Sequence, residues 1–182
     1  MSEIADRYRR NAANFTAKVE AVRPERWSSP SPCEDWDARG VVAHVVQTQG
    51  MFLGFVGREL GPIPSVDDDP LAAWAAARDK VQADLDDPER AGAEFDGLSG
   101  RTTFAEAVDR FASGDLAIHG WDLARATGLD ETIDPPEVQR GLDEYPKLGQ
   151  AIRSPGVFGP EIDAAPGADD QTRLLNFVGR EV

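Results

Sequence analysis

Residues 103–128 read TFAEAVDRFASGDLAIHGWDLARATG, and the fold turns on this stretch. It opens on Thr103 with Glu106 three residues on, the spacing of a capping box. It closes on Gly128, placed as a helix-ending glycine. Between these signals, at about 100° per residue, Phe104, Val108, Phe111, Ile118 and Ala126 share one face. Glu106, Asp109 and Ser113 lie on the opposite one. The pattern predicts a long amphipathic helix with its apolar face against a core. Asp115, His119 and Asp122 interrupt that apolar face. A buried carboxylate without a partner is costly, so each interruption needs one. Asp115 and His119 are four apart, which stacks their side chains one above the other. A carboxylate and an imidazole so placed can ligate one ion.

A third ligand has to come from another element. The chain has two histidines, and the other is His44, in VVAHVVQ. Its helical face includes Val41, Thr48, Met51 and Phe55, so His44 too is expected toward the interior or its margin. Two histidines and a carboxylate form a ligand set with open coordination positions, as catalytic sites have. The bland alternative is a core histidine satisfied by a hydrogen bond and an Asp–His ion pair. Periodicity leaves both open.

Outward from this pair, helical apolar spacing alternates with Pro/Gly/Ser-rich breaks. A first helix is expected over about Glu3 to Val22, then a proline-broken loop from Arg23 to Trp36. Asp37 is a plausible N-cap for a second helix running to about Leu60. The GPIPSVDDDP loop precedes a third helix, about Leu71 to Leu85. A shorter helix follows Pro135-Pro136. After the loop SPGVFGPEIDAAPGA, a last helix spans about Asp169 to Gly179. Strand signals are nearly absent. The expected class is all-α, an antiparallel four-helix bundle over residues 1–130. Residues 131–182 are expected as a C-terminal helical extension packed on it, one domain overall.

Composition narrows the function classes. With 33 acidic and 19 basic side chains the net charge is -14, which repels phosphate backbones and argues against nucleic acid. The apolar run near Met51 to Val56 is cut by Gly50, Gly54 and Gly57, so no membrane span is expected. MSEIADRYRRN lacks the apolar core of a signal peptide. The single cysteine, Cys33, excludes an internal disulfide and a multi-cysteine zinc site, and fits a reducing, cytoplasmic setting.

Two motifs also resemble a known family. SPCEDWDARGVVAHV resembles the loop and second helix of the mycothiol-dependent maleylpyruvate isomerase N-terminal domain, within the DinB-like superfamily. DLAIHGWDLARATG resembles that family's later ligand motif. The closing FGPEIDAAPGADDQTRLLNFVGR resembles the tail of an actinobacterial subgroup described only as metal-binding. The resemblance implies a four-helix bundle with a divalent ion on His44, Asp115 and His119. Zinc is the default, with nickel, iron or cobalt compatible with such ligands. It also implies a small-molecule substrate and a low-molecular-weight thiol such as mycothiol. Two departures stand out. Asp115 occupies the place of a longer glutamate in the isomerase motif. The isomerase's further C-terminal domain would not fit within 182 residues, so maleylpyruvate isomerisation is not carried over.

The leading expectation is therefore a metal- and thiol-dependent transferase or isomerase, its catalytic acid and base unassigned. Alternatives are a hydrolase using activated water, a non-catalytic metal or scaffold protein, and a DNA-binding protein disfavoured by charge. A homodimer is left open. Asp122 is open to a role as fourth ligand, but is expected to orient an imidazole or to pair with Arg125 or another basic residue. Trp121 is read as packing. Trp27 and Trp36 are read as sealing the loop over the bundle. A catalytic Cys33 is disfavoured because the Asp37 cap sets negative charge nearby.

Overall fold

The computed structural model describes residues 2–33, 35–97, 100–153 and 158–182, with the side chains of 150 and 151 left aside. The described residues are mostly helical, with one small two-stranded sheet. They divide into two compact units, Met1–Glu131 and Thr132–Val182.

In the first unit, helix α1 (Glu3–Ala21) starts where Ser2 accepts from Ala5 N at 3.1 Å. Ala5, Tyr8, Ala12, Phe15 and Val19 recur every three or four residues, and all are buried. Helix α2 (Ala38–Phe55) starts at Asp37, which accepts from Gly40 N at 2.8 Å. Helix α3 (Pro70–Asp86) starts at Asp69, with Pro70 in its first turn, where a missing N–H costs nothing. Each helix therefore begins at a side chain that satisfies an otherwise orphaned backbone donor. A short helix α4 (Pro88–Ala91) leads to an antiparallel hairpin of β1 (Glu94–Gly97) and β2 (Gly100–Thr103), with Glu94 opposite Thr103. The segment read as the fourth helix is α5 (Phe104–Ala107), a π-helical turn over Val108–Ala112, and α6 (Ser113–Thr127).

Four helices close a ring of contacts: α1 against α6, α6 against α2, α2 against α3, and α3 against α1. The core between them takes Tyr8 and Phe15 from α1, Val41, Val45 and Phe52 from α2, and Trp74 and Val81 from α3. Leu116 and Leu123 come from α6. Burying each large side chain contributes about 1.5–3 kcal/mol. Trp74 meets Phe15 edge-on at 5.0 Å and donates its indole N–H to Thr16 Oγ1 at 2.8 Å, so its polar end is satisfied too.

The second unit holds α7 (Pro135–Glu144), a 3₁₀ segment over Tyr145–Arg153, and α8 (Asp170–Phe177). Helices α7 and α8 pack at Gly141, where a Cβ would stand 2.7 Å from Leu174 Cδ1.

Several expectations shift. The second helix stops at Phe55, not Leu60, because Gly57 turns into the left-handed region at φ +70°. The hairpin was not expected; its strands are four residues each, too short for alternation to register. The 3₁₀ segment was not expected either. The first four residues of the SPGVFGPEIDAAPGA loop lie outside the described residues. No helix among the described residues is long and apolar enough to cross a membrane.

Candidate metal centre

The π-helical turn determines where α6 points its polar groups. It takes up one residue more per hydrogen-bonded turn than an α-helix, so the core stripe slips by one position. Phe104 and Val108 are followed in the core by Ala112, Leu116 and Leu123. The straight-helix expectation placed Phe111 and Ile118 there instead. Phe111 is only partly buried, and Ile118 is buried outside that cluster. Helix α1 holds the turn: Arg7 donates to the Asp109 carbonyl and, at 2.9 Å, to Asp109 Oδ1. Asn11 donates to the Ser113 carbonyl at 2.9 Å. Both are buried polar residues one turn apart on an otherwise apolar face. That pattern could have flagged them in the sequence.

With this register Asp115 and His119 lie beside the core rather than at its centre. The His119 ring is almost wholly enclosed, while the Asp115 side chain keeps 24 % of its surface exposed. His44 comes from α2, and its ring centroid is 4.7 Å from that of His119. One donor atom from each of His44, Asp115 and His119 lies within 4.8 Å of the others. The expected face of α2 fails at its far end: Met51 and Phe55 are 49 % and 46 % exposed. Val41 and Thr48 are buried as expected, while Val42, Val45, Val46, Phe52 and Leu53 fill much of the rest of the buried face, which leaves His44 at the rim.

The loop before α2 covers the imidazoles. It is pinned by Ala38 N to Ser29 O, Arg39 N to Trp27 O and Ser31 N to Trp36 O. Trp36 stacks on His44 at 4.4 Å and 27° and reaches His119 at 5.8 Å. Cys33 from the same loop donates its thiol to Asp122 Oδ2 at 3.4 Å. Asp122 also lies 2.9 Å from His119 Nδ1. Arg125, the alternative partner read for Asp122, pairs with Glu131 and covers the Trp121 ring. The approach of Cys33 and Trp36 to His119 had no signal in spacing, since it depends on how the loop folds back.

The carboxylates and imidazoles shift one another's protonation. Burial pushes the Asp115 carboxyl up, but the His119 and His44 imidazoles outweigh it and hold it below the usual carboxylate range. Burial pushes His119 down, and the Asp115 charge, with hydrogen bonds to Asp115, Asp122 and Cys33, carries it well above its ordinary value. Asp115 Oδ2 is buried and has no hydrogen-bond partner among the described residues. Ligands of a tetrahedral zinc stand about 3.4 Å apart, given bonds near 2.1 Å. Donors within 4.8 Å of one another need only modest contraction to reach that. The residues present fit a divalent ion.

Comparison with known proteins places the chain in a family. Two curated relatives are uncharacterized proteins of Mycobacterium tuberculosis, from strain CDC 1551 / Oshkosh and strain ATCC 25618 / H37Rv. Each is 27 % identical over 170 residues, covering 92 % of this chain and 92 % of its own length. No solved structure matches. Residues 8–124, which include His44, Asp115 and His119, match the model of the mycothiol maleylpyruvate isomerase N-terminal domain, and the chain belongs to that family.

Proposed function

We propose that this chain is a divalent-metal enzyme that activates a low-molecular-weight thiol of the mycothiol kind for transfer or isomerisation on a small electrophilic substrate. In this reading His44, Asp115 and His119 hold the ion, zinc by default, inside an antiparallel DinB-like four-helix bundle. One observation carries it: two imidazoles and a carboxylate converge from two helices, and Asp115 Oδ2 is left buried without a hydrogen-bond partner among the described residues. The family supplies the thiol, and the single cysteine fits the reducing cytoplasm.

A bound divalent cation lowers the pKa of a thiol or water beside it, giving a nucleophile at neutral pH. The chain's own residues prepare that chemistry. Trp36, stacked on His44, excludes water from one side of the imidazoles and fixes the ring plane. The exposed part of Asp115 marks the side open to a thiol and its partner. Thr48 sets its hydroxyl 3.4 Å from His44 Nε2, a polar group within reach of the same space.

The test is elemental analysis of protein purified without added metal, followed by loading. About one ion per chain, lost in His44→Ala, supports the reading; a protein that cannot be loaded sinks it. Consumption of a small electrophile should then require both thiol and metal. Ester hydrolysis that proceeds equally well without thiol would reassign the site to water activation.

A further inference from the structure

The two nitrogens of His119 have different neighbours. Nε2 lies 3.3 Å from Asp115 Oδ1, in the group that includes His44. Nδ1 lies 2.9 Å from Asp122 Oδ2, in a second group with Cys33. His119 belongs to both groups, so the donor atoms alone allow an ion on either side of the ring.

Hydrogen bonding separates them. On the Nε2 side Asp115 Oδ2 is buried with no hydrogen-bond partner among the described residues, so it has ligand capacity unspent on them. On the Nδ1 side a single oxygen, Asp122 Oδ2, meets both the imidazole at 2.9 Å and the Cys33 thiol at 3.4 Å. Asp122 is fully buried. An ion on Nδ1 would have to displace that bond. A carboxylate only accepts hydrogen bonds, so Nδ1 carries a hydrogen toward Asp122; Nε2 faces the Asp115 carboxylate at the longer 3.3 Å, and an ion bound there takes the Nε2 lone pair in place of a proton.

We infer that the ion belongs on the Nε2 side and that Asp122 is a positioning residue, taking the Nδ1 hydrogen of His119 so that Nε2 faces His44 and Asp115. This rests on the metal reading above. Cys33 stays outside the coordination sphere. Its thiol meets Asp122 Oδ2 at 3.4 Å and ties the covering loop to the same carboxylate. One buried acid therefore joins three things: the orientation of a ligand, the tautomer of its ring, and the loop whose Trp36 stacks on the other histidine. Carboxylates behind a ligating imidazole typically change metal affinity 10–100-fold.

The test is cobalt(II) titration of the metal-stripped protein, read by absorption. Asp122→Asn is expected to weaken cobalt binding roughly 10–100-fold and to shift the visible bands. Cys33→Ser is expected to keep wild-type affinity, and neither protein should show a thiolate-to-cobalt charge-transfer band. A thiolate band in the wild type that Cys33→Ser removes would place the ion on the other group and overturn the inference. So would an Asp122→Asn protein that binds like the wild type. If Asp122→Asn does not fold, imidazole 15N spectra of the zinc-loaded wild type decide. His119 protonated at Nδ1 and ligated at Nε2 supports the inference, and the reverse overturns it. A wild type that takes up no cobalt brings down the metal reading and the inference with it. A wild type that binds while Asp122→Asn is unaffected brings down the inference alone.

Discussion

Asp84 on α3 and Asp115 on α6 are both held within the first unit, and they are neutralised in opposite ways. The Asp84 side chain is 2 % exposed and meets Arg58 at 2.9 Å, Arg90 at 2.7 Å and Lys80 at 3.3 Å. Both its oxygens are bonded to permanent cations. Asp115 meets two imidazoles, and its Oδ2 has no hydrogen-bond partner among the described residues. Arginine and lysine bring their charge whatever the solution holds, whereas an imidazole can release its proton and offer a lone pair. The first arrangement is finished by the chain itself. In the function proposed above, the second is finished by a cation from solution. On that proposal the contrast, more than the mere presence of histidine, sets a structural cluster apart from a binding one.

The largest expected effect tests this division through metal linkage. Zinc at a hundred times its dissociation constant should stabilise the wild type by about 2.7 kcal/mol, read as a rise in the thermal midpoint. His119→Ala should abolish the rise. Asp84→Asn should leave it intact, since Asp84 shares no partner with the site. A zinc-induced rise that survives His119→Ala would end the distinction.

Next in size is the stability of the metal-free protein. Asp84→Asn should cost about 2 kcal/mol in urea unfolding. Removing one partner of a fully buried pair costs about 3–5 kcal/mol. The cations here retain 19 %, 33 % and 47 % of their surface and can turn to water, which lowers the figure. An Asp84→Asn loss under about 0.5 kcal/mol, typical of a plain surface substitution, would make this cluster as dispensable as a surface pair.

Acid titration sharpens the same point. Burial pushes the Asp84 carboxyl up, but the bonds from Arg58, Arg90 and Lys80 outweigh it and hold it below its ordinary value. The folded pKa therefore lies under the unfolded value of about 3.9. Between the two the unfolded chain binds more protons, so stability falls as pH falls. The Asp84 contribution is complete above about pH 4 and is lost as pH drops through the folded value. Urea midpoints from pH 5 to pH 2 should fall more steeply for the wild type than for Asp84→Asn. Parallel curves would remove Asp84 from the acid response.

The two clusters were unequally legible in sequence. Around α6 the capping box at Thr103 and Glu106 forms as read, and Gly128 adopts the left-handed cap at φ 75°. Asp115 and His119 were legible because residues interrupting an apolar stripe can be counted along a single helix, and His44 because it is the other histidine of the chain; one donor atom of each lies within 4.8 Å of the others. The slip of that stripe could not be counted. Nothing between Phe104 and Ala112 breaks a helix locally, and the π-helical turn is held by Arg7 and Asn11, about a hundred positions away. Asp84 escaped notice for the same reason. Its partners Arg58 and Arg90 lie in a loop and a four-residue helix, and only the fold gathers them. Cys33 and Trp36 depend on a loop folding back over α6, which periodicity does not describe.

The smallest expected effect discriminates most finely. Asp115→Asn in the metal-free protein should change unfolding stability by less than about 1 kcal/mol, the range of partly exposed ion pairs. The side chain keeps about a quarter of its surface exposed, its contact to His119 Nε2 is a long 3.3 Å, and Oδ2 has no bond to lose. The same substitution should remove most zinc affinity, because an amide oxygen replaces an anionic ligand. A residue that matters little to the empty fold and greatly to the ion is held there for the ion. If Asp115→Asn instead destabilises the empty protein as much as Asp84→Asn does, Asp115 is a structural partner of His119. The two clusters would then be of one kind, and the metal reading would lose the observation that carries it.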